Sequence, residues 1–301
     1  MSTASDFLDF FLKAGWFRTS SHIDASRIGK GSMLFRGQSN ANWGLVPSAF
    51  RSFQALDDFT PQPPGESHDD SSRKRALGSH LHAEVYAVHL FLDSADRLGF
   101  PTPLDFSTLD HSQEIMYAAL NNRSYDYSKP FPPKSYETSV AFAQHHGVPT
   151  RFLDWTESPL AACYFAAYGA SIFGGEELSV GQEIAVYFMS INSIAKDSSP
   201  VSLVKVPKFQ NSHIRAQQGL FTSFKNANAY FLEHGAWPDL IEMGSLKFQI
   251  QRCRLPASES NKLLKLLFDL DITRERLMPS LANAASAQQY RKGLFVQSDR
   301  A

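Results

Sequence analysis

Three short strings of this chain concentrate residues with chemical potential. The first, Phe35-Arg36-Gly37-Gln38 with Trp43 and Arg51 after it, sets a guanidinium in an apolar run beside a glycine. A buried cation is costly unless it meets an anion or carbonyls. Its fork of donors suits a ligand phosphate or an internal pair with Asp154 equally, and both readings stand at this level. Gly37 has no side chain to keep a ligand away from the backbone. The second string runs from Gln144 to Pro159 and contains Leu153-Asp154-Trp155-Thr156-Glu157-Ser158-Pro159. Ser158-Pro159 signals a helix start. The oxygens of Asp154 and Thr156 therefore either cap its orphan amides or share its positive end with an anionic ligand. The third string, Arg215-Ala216-Gln217-Gln218-Gly219-Leu220-Phe221, offers two glutamines. Only one of them would face inward on a strand.

Other residues invite plainer readings. Trp43 and Trp155 would stack on a base or nicotinamide ring in one reading and fill core in the other. His145 and His146 are adjacent, so a helix points them to different faces, and no third ligand lies at useful spacing; no metal is expected. Cys163 and Cys253 stand far apart among apolar neighbours and read as buried reduced thiols. No Walker-type loop, dinucleotide fingerprint or Gly-x-Ser-x-Gly elbow occurs. With 29 Lys and Arg against 30 Asp and Glu, no global field favours a polyanion, although a local patch remains open.

These residues need elements to hold them. Phe7, Phe10, Phe11 and Ala14 recur at helical spacing, predicting a short helix within 1–17. Residues 34–53 predict a strand into Phe35, a turn near Ser39-Asn40 and an extended return through Leu45-Val46-Pro47. The Pro, Gly, Asp and Ser of 57–75 predict a flexible insertion. Leu81, Val85, Val88 and Leu92 predict a helix from a Ser79 cap to about Gly99. Further helices are expected over 112–120, 136–146, from Pro159, and over 262–268. Residues 184–189, 201–206, 214–224 and 245–253 are the remaining strand candidates. At 43% apolar, with 24 Phe, the chain has ample material for a core. The expected fold is α+β, a central, largely antiparallel sheet flanked by helices, in a single domain over 1–301. No uncharged stretch approaches membrane-spanning length and no signal peptide is evident, so a cytoplasmic protein with no membrane partner is expected.

The order and wording of the three strings resemble the bacterial FRG domain family, from about Ser32 to Arg291, with the Pro-rich insertion as the departure. The layout is also similar to that of ADP-ribosyltransferases: a strand bearing Arg, a strand-to-helix junction with hydroxyl and polar residues, then a later strand with a polar residue. That resemblance implies NAD as substrate, its pyrophosphate met by Arg36, and Gly37, Gln38, Trp43 and Trp155 as further cofactor contacts. It implies a catalytic set of Arg36, Asp154, Thr156 and Gln217. Gln217 stands where the transferases carry a glutamate; it keeps the hydrogen bond and lacks the charge, which Asp154 or Glu157 would have to supply. The implied function is an NAD-using ADP-ribosyltransferase-like protein acting on a protein or nucleic-acid target in toxin or phage-defence settings. The other reading is a non-catalytic module that binds a nucleotide or a partner protein through the same cleft.

Overall fold

The computed structural model describes residues 1–13, 33–60, 70–103, 126–127, 130–174, 179–208, 211–244 and 246–296. Its centre is a six-stranded antiparallel sheet. In chain order the strands are β1 (Met33–Gln38), β2 (Phe152–Thr156), β3 (Glu183–Ser190), β4 (Val201–Val204), β5 (Gly219–Phe224) and β6 (Gln251–Pro256). They lie side by side as β4-β5-β2-β1-β3-β6. The fold is α+β. β3 is apolar nearly throughout and buried along its length, as a strand covered on both faces must be. It pairs with β1 at six positions, from Met33 opposite Ser190 to Gln38 opposite Ala185. β1 pairs with β2 at one position, Phe35 opposite Thr156. The sheet therefore has a seam.

Alternation along the strands sorts the core. On one face, Phe35, Val186, Phe188 and Leu255 pack under α1 (Ala4–Lys13), α4 (Pro159–Gly169), α7 (Ser260–Asp269) and the later helix α9 (Leu281–Val296). The β2-side half of that face carries Phe152, Phe221 and Val204 under α2 (Asp70–Arg97) and α3 (Lys134–His145). The opposite face buries Leu34, Leu153, Trp155, Tyr187 and Phe224 against the loop through Leu45 and Phe50 and against Ala83 and Ala87 of α2. On the first face, two apolar clusters thus meet across the seam, with Asp154 and Thr156 on β2 between them.

Several sequence expectations shift. The helix placed from Ser79 starts at Asp70, so the end of the Pro-rich interval is helical, and Arg73 there donates to the carbonyls of Leu232 and Glu233. Phe53–Phe59, at its beginning, is a 3-10 helix. No strand returns through Leu45; that segment is held instead by Asp239, whose carboxylate accepts from the Leu45 amide at 3.0 Å. Residues 214–217 are not strand but the end of α5 (Ser212–Gln217), and the strand sought in 245–253 is β6. The helix expected over 112–120 and residues 61–69 lie outside the described residues. Among the described residues no helix is long and apolar enough to cross a membrane.

The start of β2 is pinned by a buried ion pair. Arg151 Nε donates to Glu84 Oε2 at 2.7 Å and Nη2 to Oε1 at 2.6 Å, while Nη1 reaches Asn228 Oδ1 and the Phe131 carbonyl. Both side chains are buried, and the guanidinium lies 4.2 Å from the centre of the Phe131 ring. Burial pushes the Glu84 carboxyl up, but the Arg151 cation and hydrogen bonds from His80 and Arg151 outweigh it and hold the group down to about 2. Arg151→Ala strands a buried carboxylate and is expected to destabilise the fold by about 3–5 kcal/mol. Because the folded value lies below the ordinary 4.5, the contribution of Glu84 is present above that pH and lost as pH falls toward 2. Urea midpoints across that window should decline steeply in the parent and less in Glu84→Gln. Parallel declines would remove Glu84 from that role.

Candidate functional site

The seam opens into a cavity bounded by a helix that lies directly on β1. A Cβ at Gly37 would fall 2.0 Å from the Ala162 carbonyl oxygen and 2.6 Å from the Ala166 amide nitrogen of α4. Only glycine permits this approach. The helix is equally suited to it: Ala161, Ala162, Ala166 and Ala167 are small and buried, and its start is set by Pro159 and by Ser158 Oγ, which accepts from the Ala161 amide at 3.2 Å. Ser158, not Asp154 or Thr156, is the cap. Where β1 and β2 part, a cavity of about 250 Å³ remains. Phe35, Gly37, Ala162 and Phe165 supply its apolar wall, and Arg36, Asp154, Thr156 and Gln217 its polar groups.

Arg36 and Asp154 meet across the seam. Arg36 Nη1 donates to the Asp154 carbonyl at 2.9 Å and lies 3.5 Å from the carboxylate Oδ2. The Arg36 side chain is 11% exposed and that of Asp154 57%, so the pair is buried at one end only. Arg36 Nε is buried with no hydrogen-bond partner. Burial lowers the guanidinium's affinity for its proton, Asp154 opposes that shift, and the Arg51 cation adds to it. Arginine remains charged across the physiological range regardless. The cleft thus holds a cation with an unsatisfied donor beside a half-exposed carboxylate.

The other residues singled out in the sequence separate into two groups. Thr156 sits in the cavity wall as a brace: its hydroxyl donates to the Gln217 carbonyl at 2.5 Å and accepts from the Ser158 amide at 2.9 Å. Gln217 also reaches the cavity, but as the last residue of α5, and its amide donates to the Leu277 carbonyl at 3.1 Å. Gln218 takes the left-handed turn after it, with φ of 50°. Trp155 contributes to the wall while its ring is buried in the opposite core, with Nε1 donating to Thr222 Oγ1 at 3.0 Å. Gln38 and Trp43 stand apart from the cavity. Gln38 donates to the Gly44 carbonyl and fixes the turn after β1, and Trp43 is 44% exposed on that turn. Glu157 turns to Lys208 at 3.4 Å, leaving Asp154 the one carboxylate in the cavity wall among the described residues. Phe165 and Gln144 were not singled out as site residues in the sequence. Gln144, in the last turn of α3, donates to Asp154 Oδ1 at 2.5 Å.

Of the remaining candidates, His145 meets His213 of α5 at 4.9 Å between ring centres. Burial, with His213 and His146 nearby, lowers His145 to about 4 and keeps it neutral at pH 7. Among the described residues no group of His, Cys, Asp or Glu is arranged to hold a metal. Cys163 and Cys253 are free, and burial pushes both thiols up, which makes them poor nucleophiles.

Residues 106–171 match the family model of the FRG domain. That segment is similar to an FRG domain. The matched part includes α3, Arg151, β2 and α4, hence the carboxylate side of the cleft and the helix that closes it. Arg36 and Gln217 lie outside it, a narrower match than the span of the sequence resemblance. No curated protein and no solved structure matches the chain.

Two substitutions test this geometry. Arg36→Ala removes one hydrogen bond and leaves Asp154 in contact with water, so the expected loss is about 1 kcal/mol, well below that of Arg151→Ala. Gly37→Ala forces α4 off β1 and is expected to lower the denaturant midpoint far more. Equal midpoints for Gly37→Ala and the parent would contradict the contact between Gly37 and α4.

Proposed function

We propose that the cleft of this chain binds NAD and that the protein is ADP-ribosyltransferase-like. The observation that carries the reading is Arg36: a guanidinium in a cavity wall, with a buried Nε unpartnered and a carboxylate on the other side. A ligand with a phosphate and a ribose matches that pair, the phosphate accepting from Arg36 and the ribose hydroxyls donating to Asp154. The about 250 Å³ of the cavity suits one end of a dinucleotide rather than the whole. In the transfer, the bond between the ribose C1 and the nicotinamide nitrogen breaks and its electron pair leaves with nicotinamide. A nucleophile of the protein or nucleic-acid target then bonds to C1 and gives up its proton. Asp154 would stabilise the positive charge that develops on the ribose and accept that proton, the work left open by the neutral Gln217. A toxin or phage-defence role would follow from the family resemblance.

A second reading is favoured by one observation. The Gln217 side-chain amide donates to the Leu277 carbonyl, so the position that carries a glutamate in the transferase layout holds a neutral group partly committed to the fold. On that reading the cleft binds a nucleotide or a partner protein without turning it over.

Calorimetric titration with NAD, followed by mass spectrometry of released nicotinamide, separates the two. NAD should bind, and Arg36→Ala should weaken it by about tenfold or more, or about 1.4 kcal/mol per decade. Nicotinamide release that disappears in Asp154→Asn favours transfer, and binding without release favours the second reading. Undiminished NAD binding by Arg36→Ala would end the case for this cleft.

A further inference from the structure

The Asp154 carboxylate is more than half exposed, so packing alone does not fix its rotamer. A relay of hydrogen bonds does. Ser48 Oγ accepts from the Thr150 amide at 3.1 Å and anchors that residue. Thr150 Oγ1 accepts from the Phe152 amide at 3.2 Å, and its single proton is directed to Gln144 Oε1. With the carbonyl end of Gln144 engaged, its Nε2 faces Asp154 Oδ1 and donates to it. The reverse orientation of the amide would set a carbonyl oxygen against a carboxylate oxygen. Arg36 stands near the second oxygen, Oδ2, at 3.5 Å. The two carboxylate oxygens are thus addressed from opposite sides by groups on α3 and β1.

We propose that Gln144 is a positioning residue of the cleft, holding the Asp154 carboxylate in the orientation that meets the ligand. The functional half of this inference rests on the NAD reading above; the positioning half stands on the relay. Gln144 does not appear among the residues lining the cavity, so it acts through Asp154. The relay also explains why the last turn of α3 must end where it does. Gly147, with φ of 90°, ends the helix three residues after Gln144, and the chain returns through Thr150 to the same side chain.

The test uses the full chain with Gln144→Leu and Gln144→Glu, read in two ways. The first readout needs no ligand: side-chain couplings of Asp154 by NMR report whether it occupies one rotamer. The parent should show one, and Gln144→Leu should show averaging at a denaturant midpoint close to the parent's. A single unchanged rotamer in Gln144→Leu overturns the proposal whether or not NAD binds. The second readout is NAD titration. Gln144→Leu should weaken binding by about tenfold. Gln144→Glu should bind better at low pH, where the introduced carboxyl is protonated and donates as the amide did, and worse as pH rises and two carboxylates face each other. Averaging in Gln144→Leu with undiminished NAD affinity overturns the functional role. If the parent shows no NAD binding while Gln144→Leu shows averaging, the NAD reading falls and the positioning of Asp154 stands.

Discussion

The pairing of Arg151 with Glu84 is the constraint on which the rest of the molecule depends. Two charges removed from water are tolerated only when their geometry satisfies both, and here the bidentate pair is completed by Asn228, the Phe131 carbonyl and His80. Those partners come from α2, from the helix Ala227–His234 and from the loop before α3. The pair therefore fixes the start of β2 against three separate parts of the chain. Once residue 151 is fixed, a period of two decides the rest of the strand: Leu153 and Trp155 enter one core, and Asp154 and Thr156 face the seam.

The cleft follows from a shortage of pairing and a close approach. β1 commits its ladder to β3 and leaves β2 after Phe35. The space so opened would be wide, were α4 not lowered onto Gly37 by its run of small residues. Arg36 belongs by alternation to the same face as Leu34 and Gln38, yet its length carries the guanidinium to the Asp154 carbonyl. A shorter cation would not make that crossing. The polar groups of the cavity thus come from three elements that are distant in sequence, β1, β2 and the end of α5.

Much of this was legible in the sequence, and the exceptions share a cause. Strong periodicity and cap signals located α1, α3, α4, β3 and α7 within a few residues, and the isolation of Arg36 and Asp154 in apolar strings correctly brought them together. Residues 214–217 were read as strand because Ile214, Leu220 and Phe221 suggest one, but the Asn211 side chain accepts from the Ile214 amide and starts a helical turn that Gln218 ends. The Glu84–Arg151 pair was missed although its signal was present: a lone acid between Ala83 and Val85 on an apolar helix, and a lone base before Phe152. Pairing them requires a separation of 67 residues in sequence, which no local pattern reports. Trp43 fell outside the cleft for a related reason: its distance from Arg36 in sequence is short, but the turn after β1, fixed by Gln38, carries it away.

The single rung between β1 and β2 also divides the ladder of the sheet into two halves. Three strands, β4, β5 and β2, keep one apolar cluster, and three, β1, β3 and β6, keep another, on the face where the cleft lies. Across the join the strand ladder contributes little, and cohesion there rests on the opposite face, where Leu34 and Tyr187 of one half pack with Leu153, Trp155 and Phe224 of the other. A ligand that met Arg36 on one half and Asp154 on the other, as proposed, would be a rivet through that join, and occupancy of the cleft would be felt as stiffness of the sheet.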